Sequence, residues 1–331
     1  MKKSLMKVQV PVSSAYTDEH LRFIKQMGVD NCFVMFTDQD SNYDGVNKFL
    51  ERCRKAGLTV NDAGNANIYK NPSIPLGRSD RDLWIGKFND LNRIIANAGV
   101  KVGYITWDAG RVSTTRFDVG KETRGSIGRL VSMEELYRHD LAFDRVYEEE
   151  EIWENFKYFL DCVLPVCEET GMKLALHPND PPVPTLEGFH NLIHSAADYK
   201  RAFELAGDSP YLGMKMCCGC WLEGGPAFGN LLEDIKYFVE NKKVLIVHFR
   251  NVSSCGVSFE ETLLEDGYMD MYQVMKQFVT CGYDGAIHCD HVPEFSREHG
   301  GKDSSWAYST GYMKALIHCA QEELQRGVRA E

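Results

Sequence analysis

Four residues with metal-binding side chains stand at the ends of short apolar runs in the second half of the chain. They are His177 before Pro178, Cys217 before Cys218 and Gly219, His248 before Phe249-Arg250-Asn251, and Asp290 before His291. Two imidazoles, a thiolate and a carboxylate form a donor set for one divalent ion. Zinc, manganese, iron and cobalt are all compatible with it, depending on how many positions stay open. A cation in such a site stabilises negative charge that develops on substrate oxygens. Arg250, two residues after His248, carries a planar guanidinium that matches a substrate carboxylate bidentately.

These residues need a scaffold that brings strand ends together. Short apolar runs alternate with longer segments of helical apolar spacing, the pattern of repeated βα units. The candidate strands are 7–10, 31–36, 58–61, 101–106, 173–177, 213–217, 244–249 and 286–290. Between them, Thr17-Asp18-Glu19 opens a helix, Ser79-Asp80 is expected to cap another, and Glu148 to Glu151 supply acidic residues to the positive end of a third. Further helices fit 231–240, 268–280 and 305–324, and glycines at 28, 57, 99, 171 and 282 follow helical runs. Eight such units predict an α/β fold, a (β/α)8 TIM barrel with its chemistry at the C-terminal ends of the strands. An open doubly wound sheet is second choice, because no Gly-x-Gly-x-x-Gly follows the first strand. Side chains alternate along a strand, so if His177 faces the barrel interior, Leu174 and Leu176 face the helices. The same parity turns Leu245 and Val247 outward beneath His248, and sends Lys215 and His288 inward. Loops longer than about 15 residues are functional or mobile. The stretches 63–78 and 108–145 are therefore expected as loops inserted after strands three and four, with 108–145 covering substrate, in a single domain of residues 1–331.

Composition narrows the partners. The 331 residues carry 37 Lys plus Arg against 48 Asp plus Glu, a net charge of -11, which gives nothing to neutralise a phosphate backbone or an anionic membrane. Nucleic acid and membrane are excluded as expected partners. The basic start, Met1 to Lys7, leads into Val8-Gln9-Val10-Pro11 rather than an apolar region, so it does not read as a signal peptide. Eleven cysteines without a compact framework fit reduced thiols in the cytoplasm. Cys218 and Cys220 lack the second pair of a zinc ribbon, and Asn191 stands between His190 and His194 where a zinc protease has Glu, so both groups read as ordinary packing or loop residues. A homo-oligomer is compatible with all of this.

The second half of the chain resembles the mannonate dehydratases, metal-dependent lyases among the xylose-isomerase-like barrels. The resemblance rests on the ordered run His177-Pro178-Asn179-Asp180-Pro181-Pro182, Asp208-Ser209-Pro210, Gly213 to Cys217, His248-Phe249-Arg250-Asn251-Val252, Phe259-Glu260-Glu261, Asp266 to Met271, Gly282 to Gly285, and Asp290-His291. It implies that His177, Cys217, His248 and Asp290 hold a divalent metal, Mn2+ or Fe2+ first and Zn2+, Co2+ or Mg2+ otherwise, and that His291 transfers the proton. Asn179, Asn251, His288, Lys215, Trp107 and Arg116 are the further substrate-side candidates. Trp107-Asp108 and Ser113 to Arg116 are loosely similar to a family segment near the substrate. Departures lie on the substrate side. Val10-Pro11-Val12-Ser13-Ser14 replaces the family's Arg-Trp-Tyr-Gly-Pro, Asn61 to Asn65 replaces a His-Glu segment, and the late family tyrosine has no clear counterpart. The implied activity is dehydration of D-mannonate to 2-keto-3-deoxy-D-gluconate. An isomerase, an epimerase or a lyase on an oxidised sugar would use the same metal, and a non-catalytic metal or carbohydrate-binding barrel would bind the ion without turnover.

Overall fold

The structure is a computed structural model that describes residues 6–330, with side chains through 327; the basic segment 1–5 lies outside the described residues. Every expected strand is present. In chain order the strands are β1 (Lys7–Ser13), β2 (Asn31–Met35), β3 (Thr59–Gly64), β4 (Val102–Thr106), β5 (Arg116–Val119), β6 (Ile127–Ser132), β7 (Lys173–His177), β8 (Thr185–Leu186), β9 (Phe189–His190), β10 (Leu212–Cys217), β11 (Val244–His248), β12 (Asn251–Val252), β13 (Ser258–Thr262) and β14 (Ala286–His288). Eight form one sheet in the order β3-β2-β1-β14-β11-β10-β7-β4, and the registered pairs within it are parallel. With helices between consecutive strands, this is the (β/α)8 barrel class.

The chain divides into two compact units, and it passes from one to the other within β1 and again within β10. In the unit of residues 9–112 and 140–215, β1 runs beside β2 from Gln9↔Asn31 to Ser13↔Met35, and β4 beside β7 from Val102↔Lys173 to Thr106↔His177. The helices over this unit form where capping side chains start them. The Thr17 side chain accepts from His20 N before Asp18–Gln26, Asn42 from Gly45 N before Tyr43–Lys55, and Ser195 from Asp198 N before Ala196–Leu205. The helix Glu149–Thr170 begins on three glutamates and ends at Gly171, whose φ of 69° is the left-handed value expected there. Asp80 differs from expectation. It precedes Arg81–Asn97 without a side-chain cap, because its Oδ2 accepts instead from the Trp84 indole at 3.0 Å. Phe156 and Phe159 on one helix meet Trp107 at ring distances of 4.9 and 5.3 Å, and Phe88 meets Phe159 at 5.2 Å. Each such buried ring contributes about 2–3 kcal/mol of apolar transfer.

The second unit comprises the described part of 1–8 with 113–139 and 216–331. Here β14 lies between β1 and β11, with His248 beside His288 in the ladder. The stretch expected as an inserted loop after the fourth strand has regular structure of its own. Its β5–β6 hairpin joins β13 and β12 in a four-stranded antiparallel sheet, and Met133–Leu136 adds a helical turn capped by Ser132. The stretch after β3 also has structure, since Ala66–Tyr69 is helical and Tyr69, Ile74 and Leu76 are buried.

Candidate active site

In the second unit, Cys217 closes β10, His248 closes β11, and Asp290 stands two residues past β14. The donor atoms of these three residues lie within 4.8 Å of one another. His248 Nδ1 is 3.0 Å from Asp290 Oδ2, and Cys217 is fully buried. Burial works against ionising Asp290, but the His248 and His291 imidazoles and the Arg250 guanidinium outweigh it and hold the carboxyl well below the usual range. The thiolate, imidazole and carboxylate are the donor chemistry of a borderline to soft divalent cation, so these residues fit one.

Arg250 does not present an open fork to a substrate. Its Nη1 is shared between Glu223 Oε1 at 2.5 Å and Glu261 Oε1 at 2.8 Å, its Nη2 faces Cys220 Sγ at 3.5 Å, and its Nε lies 3.4 Å from Asp290 Oδ2. The expected carboxylate clamp is thus corrected to a buried cation that braces Asp290, because protein carboxylates already occupy the guanidinium. Gly219 makes this placement possible: a Cβ there would come within 2.3 Å of the Arg250 guanidinium carbon. Arg129 enters from β6, its Nη1 2.9 Å from Glu261 Oε1 and 3.6 Å from Glu223 Oε1. Composition and motif spacing did not single out Glu223, Glu261 or Arg129 as site residues. The alternation in Phe259-Glu260-Glu261, which puts Glu261 on the buried face with Phe259, was the available signal. His291 adopts φ 48°, its Nδ1 3.0 Å from Glu261 Oε1 and its Nε2 3.7 Å from Asp290 Oδ2. Burial lowers its pKa, but Asp290 and Glu261 together prevail and raise it.

The remaining candidates have varied surroundings. His288 is buried with its ring 4.5 Å from that of His248. Arg116 is exposed on β5, 3.4 Å from Glu135. Asn251 is buried, its Nδ2 donating to Leu264 O at 3.0 Å and Met269 O at 2.8 Å while its Oδ1 accepts from Val252 N at 3.0 Å. Its amide therefore pins the loop ahead of residue 271 rather than facing substrate. Asn251→Ala leaves two buried carbonyls and an N–H without these partners, and is expected to cost about 3 kcal/mol. Urea unfolding checks this, and a loss below about 0.5 kcal/mol would assign the amide no structural weight.

In the other unit, His177 ends β7 half-buried, with Nδ1 2.7 Å from Pro178 O. A neutral ring that donates Nδ1–H to that carbonyl has Nε2 as its acceptor nitrogen, the tautomer a metal needs. Asn179 is buried and its amide is engaged, donating to Trp107 O at 3.1 Å and accepting from Ile193 N at 3.0 Å. Trp107 packs in the core on Phe156 and Phe159. Both support the strand ends through these contacts. Lys215 is buried with its ammonium 4.2 Å from the Tyr104 ring and 5.6 Å from that of Phe33, a cation–π setting.

The family model described as D-mannonate dehydratase (UxuA) matches residues 124–326, more than half of the chain. A mannonate dehydratase of Thermotoga maritima is 32% identical over 283 residues, covering 75% of this chain and 77% of its own. One from Lactococcus lactis subsp. cremoris is 34% identical over 280 residues, covering 73% and 75%. The crystal structure of a mannonate dehydratase from Streptococcus suis superposes with a TM-score of 0.82 at 22% identity over 96% of both chains. A 3-keto-D-glucoside 4-epimerase from E. coli shares the fold at a TM-score of 0.63 and 13% identity, over 94% of this chain and 99% of its own. On its sequence match and on the identity of its relatives, the chain belongs to the D-mannonate dehydratase family.

Proposed function

We propose that the protein is a carbon–oxygen lyase that converts D-mannonate to 2-keto-3-deoxy-D-gluconate and water, with a divalent metal held by His177, Cys217, His248 and Asp290. Three of them, Cys217, His248 and Asp290, make up a group of donors within 4.8 Å of one another, and all four match the family's ligand motifs position by position. The observation that carries the reading is that a residue of general-base chemistry, His291, directly follows the ligand carboxylate with its Nε2 turned toward it. When bound, the ion supplies Lewis-acid stabilisation of the charge that gathers on the substrate carboxylate as C2 loses its proton. His291 takes that proton, the C3–O bond breaks and the departing hydroxyl gains one proton to leave as water, so that H and OH are lost in sum, and the enol product tautomerises to the 2-keto acid. The His248 and His291 imidazoles, with Arg250, hold Asp290 in its ionised form. Mn2+ or Fe2+ is the preferred ion, as the resemblance to the family implies.

Residues 108–145 serve as a substrate cover within a single barrel domain of residues 1–331. This is supported by the hairpin of that segment, which contributes Arg129 to the carboxylates around Arg250. Among the described residues no helix is long and apolar enough to cross a membrane, and the reading places the enzyme in the cytoplasm with a small sugar acid as its partner.

Assay across a panel of aldonates tests the reading, with the keto-deoxy acid measured as product. D-mannonate should give the largest kcat/KM. Chelation should reduce the rate to below about 1%, and Mn2+ or Fe2+ should restore it better than Zn2+ or Mg2+. Solvent deuterium entering the substrate at C2 without net water loss would instead identify an epimerase.

A further inference from the structure

The His291 ring is held from behind by a carboxylate outside the proposed ligand set. Glu261 is completely buried, and its Oε1 receives Arg129 Nη1, Arg250 Nη1 and His291 Nδ1 at 2.9, 2.8 and 3.0 Å. Glu223, also buried, is the second carboxylate for both guanidinium groups. Two guanidinium groups thus face these two carboxylates, with Asp290 a third on Arg250. A carboxylate between two guanidinium groups can only accept, and the hydrogen shared with His291 must therefore sit on Nδ1. That leaves Nε2 as the basic nitrogen of the ring, the same atom that faces Asp290. The backbone of His291 supports this aim: its φ of 48° is a left-handed value uncommon outside glycine, and it persists only where surrounding contacts impose it.

Resting on the assignment of His291 as the base, we propose that Glu261 is its positioning residue. It fixes the proton on Nδ1 and so presents Nε2 to the substrate. The arrangement follows the logic by which a buried carboxylate sets the tautomer of a catalytic imidazole. A carboxylate on β13 thus works through the histidine, with Arg129 of β6 and Arg250 as its guanidinium partners.

Glu261→Asp tests this while keeping the charge that the two arginines need. The variant should bind metal at the parental stoichiometry and keep KM within about twofold, with kcat reduced about 10- to 100-fold by a carboxylate that no longer reaches Nδ1. In a His291→Asn background the same replacement should change the residual rate by less than about twofold, since its effect runs through the missing ring. A readout independent of turnover is the imidazole nitrogen spectrum of 15N-histidine protein loaded with Mg2+, with His291 assigned by its loss in His291→Asn. At pH 9 it should show the Nδ1–H tautomer. An unchanged kcat in Glu261→Asp, an equal further loss in the His291→Asn background, or an Nε2–H signal would each overturn the proposal while leaving His291 as base. His291→Asn turning over at the parental rate would instead remove the base assignment itself, and the proposal with it.

Discussion

His291→Asn is expected to bind its metal at the parental stoichiometry and to lose about a hundred- to ten-thousandfold in kcat, the range over which a positioned general base contributes. The separation of the two effects follows from geometry. Cys217, His248 and Asp290 lie within 4.8 Å of one another without help from His291, whereas the His291 ring spans from Glu261 to Asp290 with one nitrogen toward each. Asparagine keeps a polar side chain near Glu261 but has no group that accepts a proton at neutral pH. KM should change little, since the ring contributes more to the step that moves the proton than to ground-state binding. Elemental analysis paired with steady-state kinetics decides the matter: more than about a tenth of the parental kcat in a metal-replete variant would move the base to another residue.

Cys217→Ser is the second large effect, and it is expected in binding of the ion rather than in proton transfer. A serine hydroxyl stays protonated at neutral pH, so the site loses an anionic donor while the shape of the side chain is nearly kept. Metal affinity should fall at least about 100-fold, and activity measured at ordinary metal concentration should fall below about 1% of parental. Fold stability should move by less than about 1 kcal/mol, because one buried atom is exchanged for another of similar size at a strand end. Titration with Mn2+ followed by chelator competition checks the affinity. Parental affinity together with parental rate in Cys217→Ser would show that the ion lies elsewhere.

Much of the scaffold could be read along the chain because its cause is local. The strands ending at His177, Cys217 and His248 were visible as apolar runs, and helices such as Leu231–Glu240 followed from 3.6-residue spacing. Alternation on a strand also picks out which residue of each run shares a face with the ligand, since that depends only on the pleat.

What the chain does with its charges depended on tertiary structure. Arg250 looks from its neighbours like an open fork for a carboxylate, yet Glu223 lies 27 residues before it, and Glu261 receives Arg129 from 132 residues away. A buried charge is stable only when oppositely charged groups enclose it, and those groups are brought in by the fold, so no local pattern announces them. Asn179 and Asn251 looked like substrate contacts for the same reason, whereas the carbonyls that occupy their amides belong to Trp107, Leu264 and Met269. The residues able to do chemistry were therefore determined by the amino-acid sequence. Which of them face a substrate, and which are enclosed by other side chains, was decided only when distant segments met.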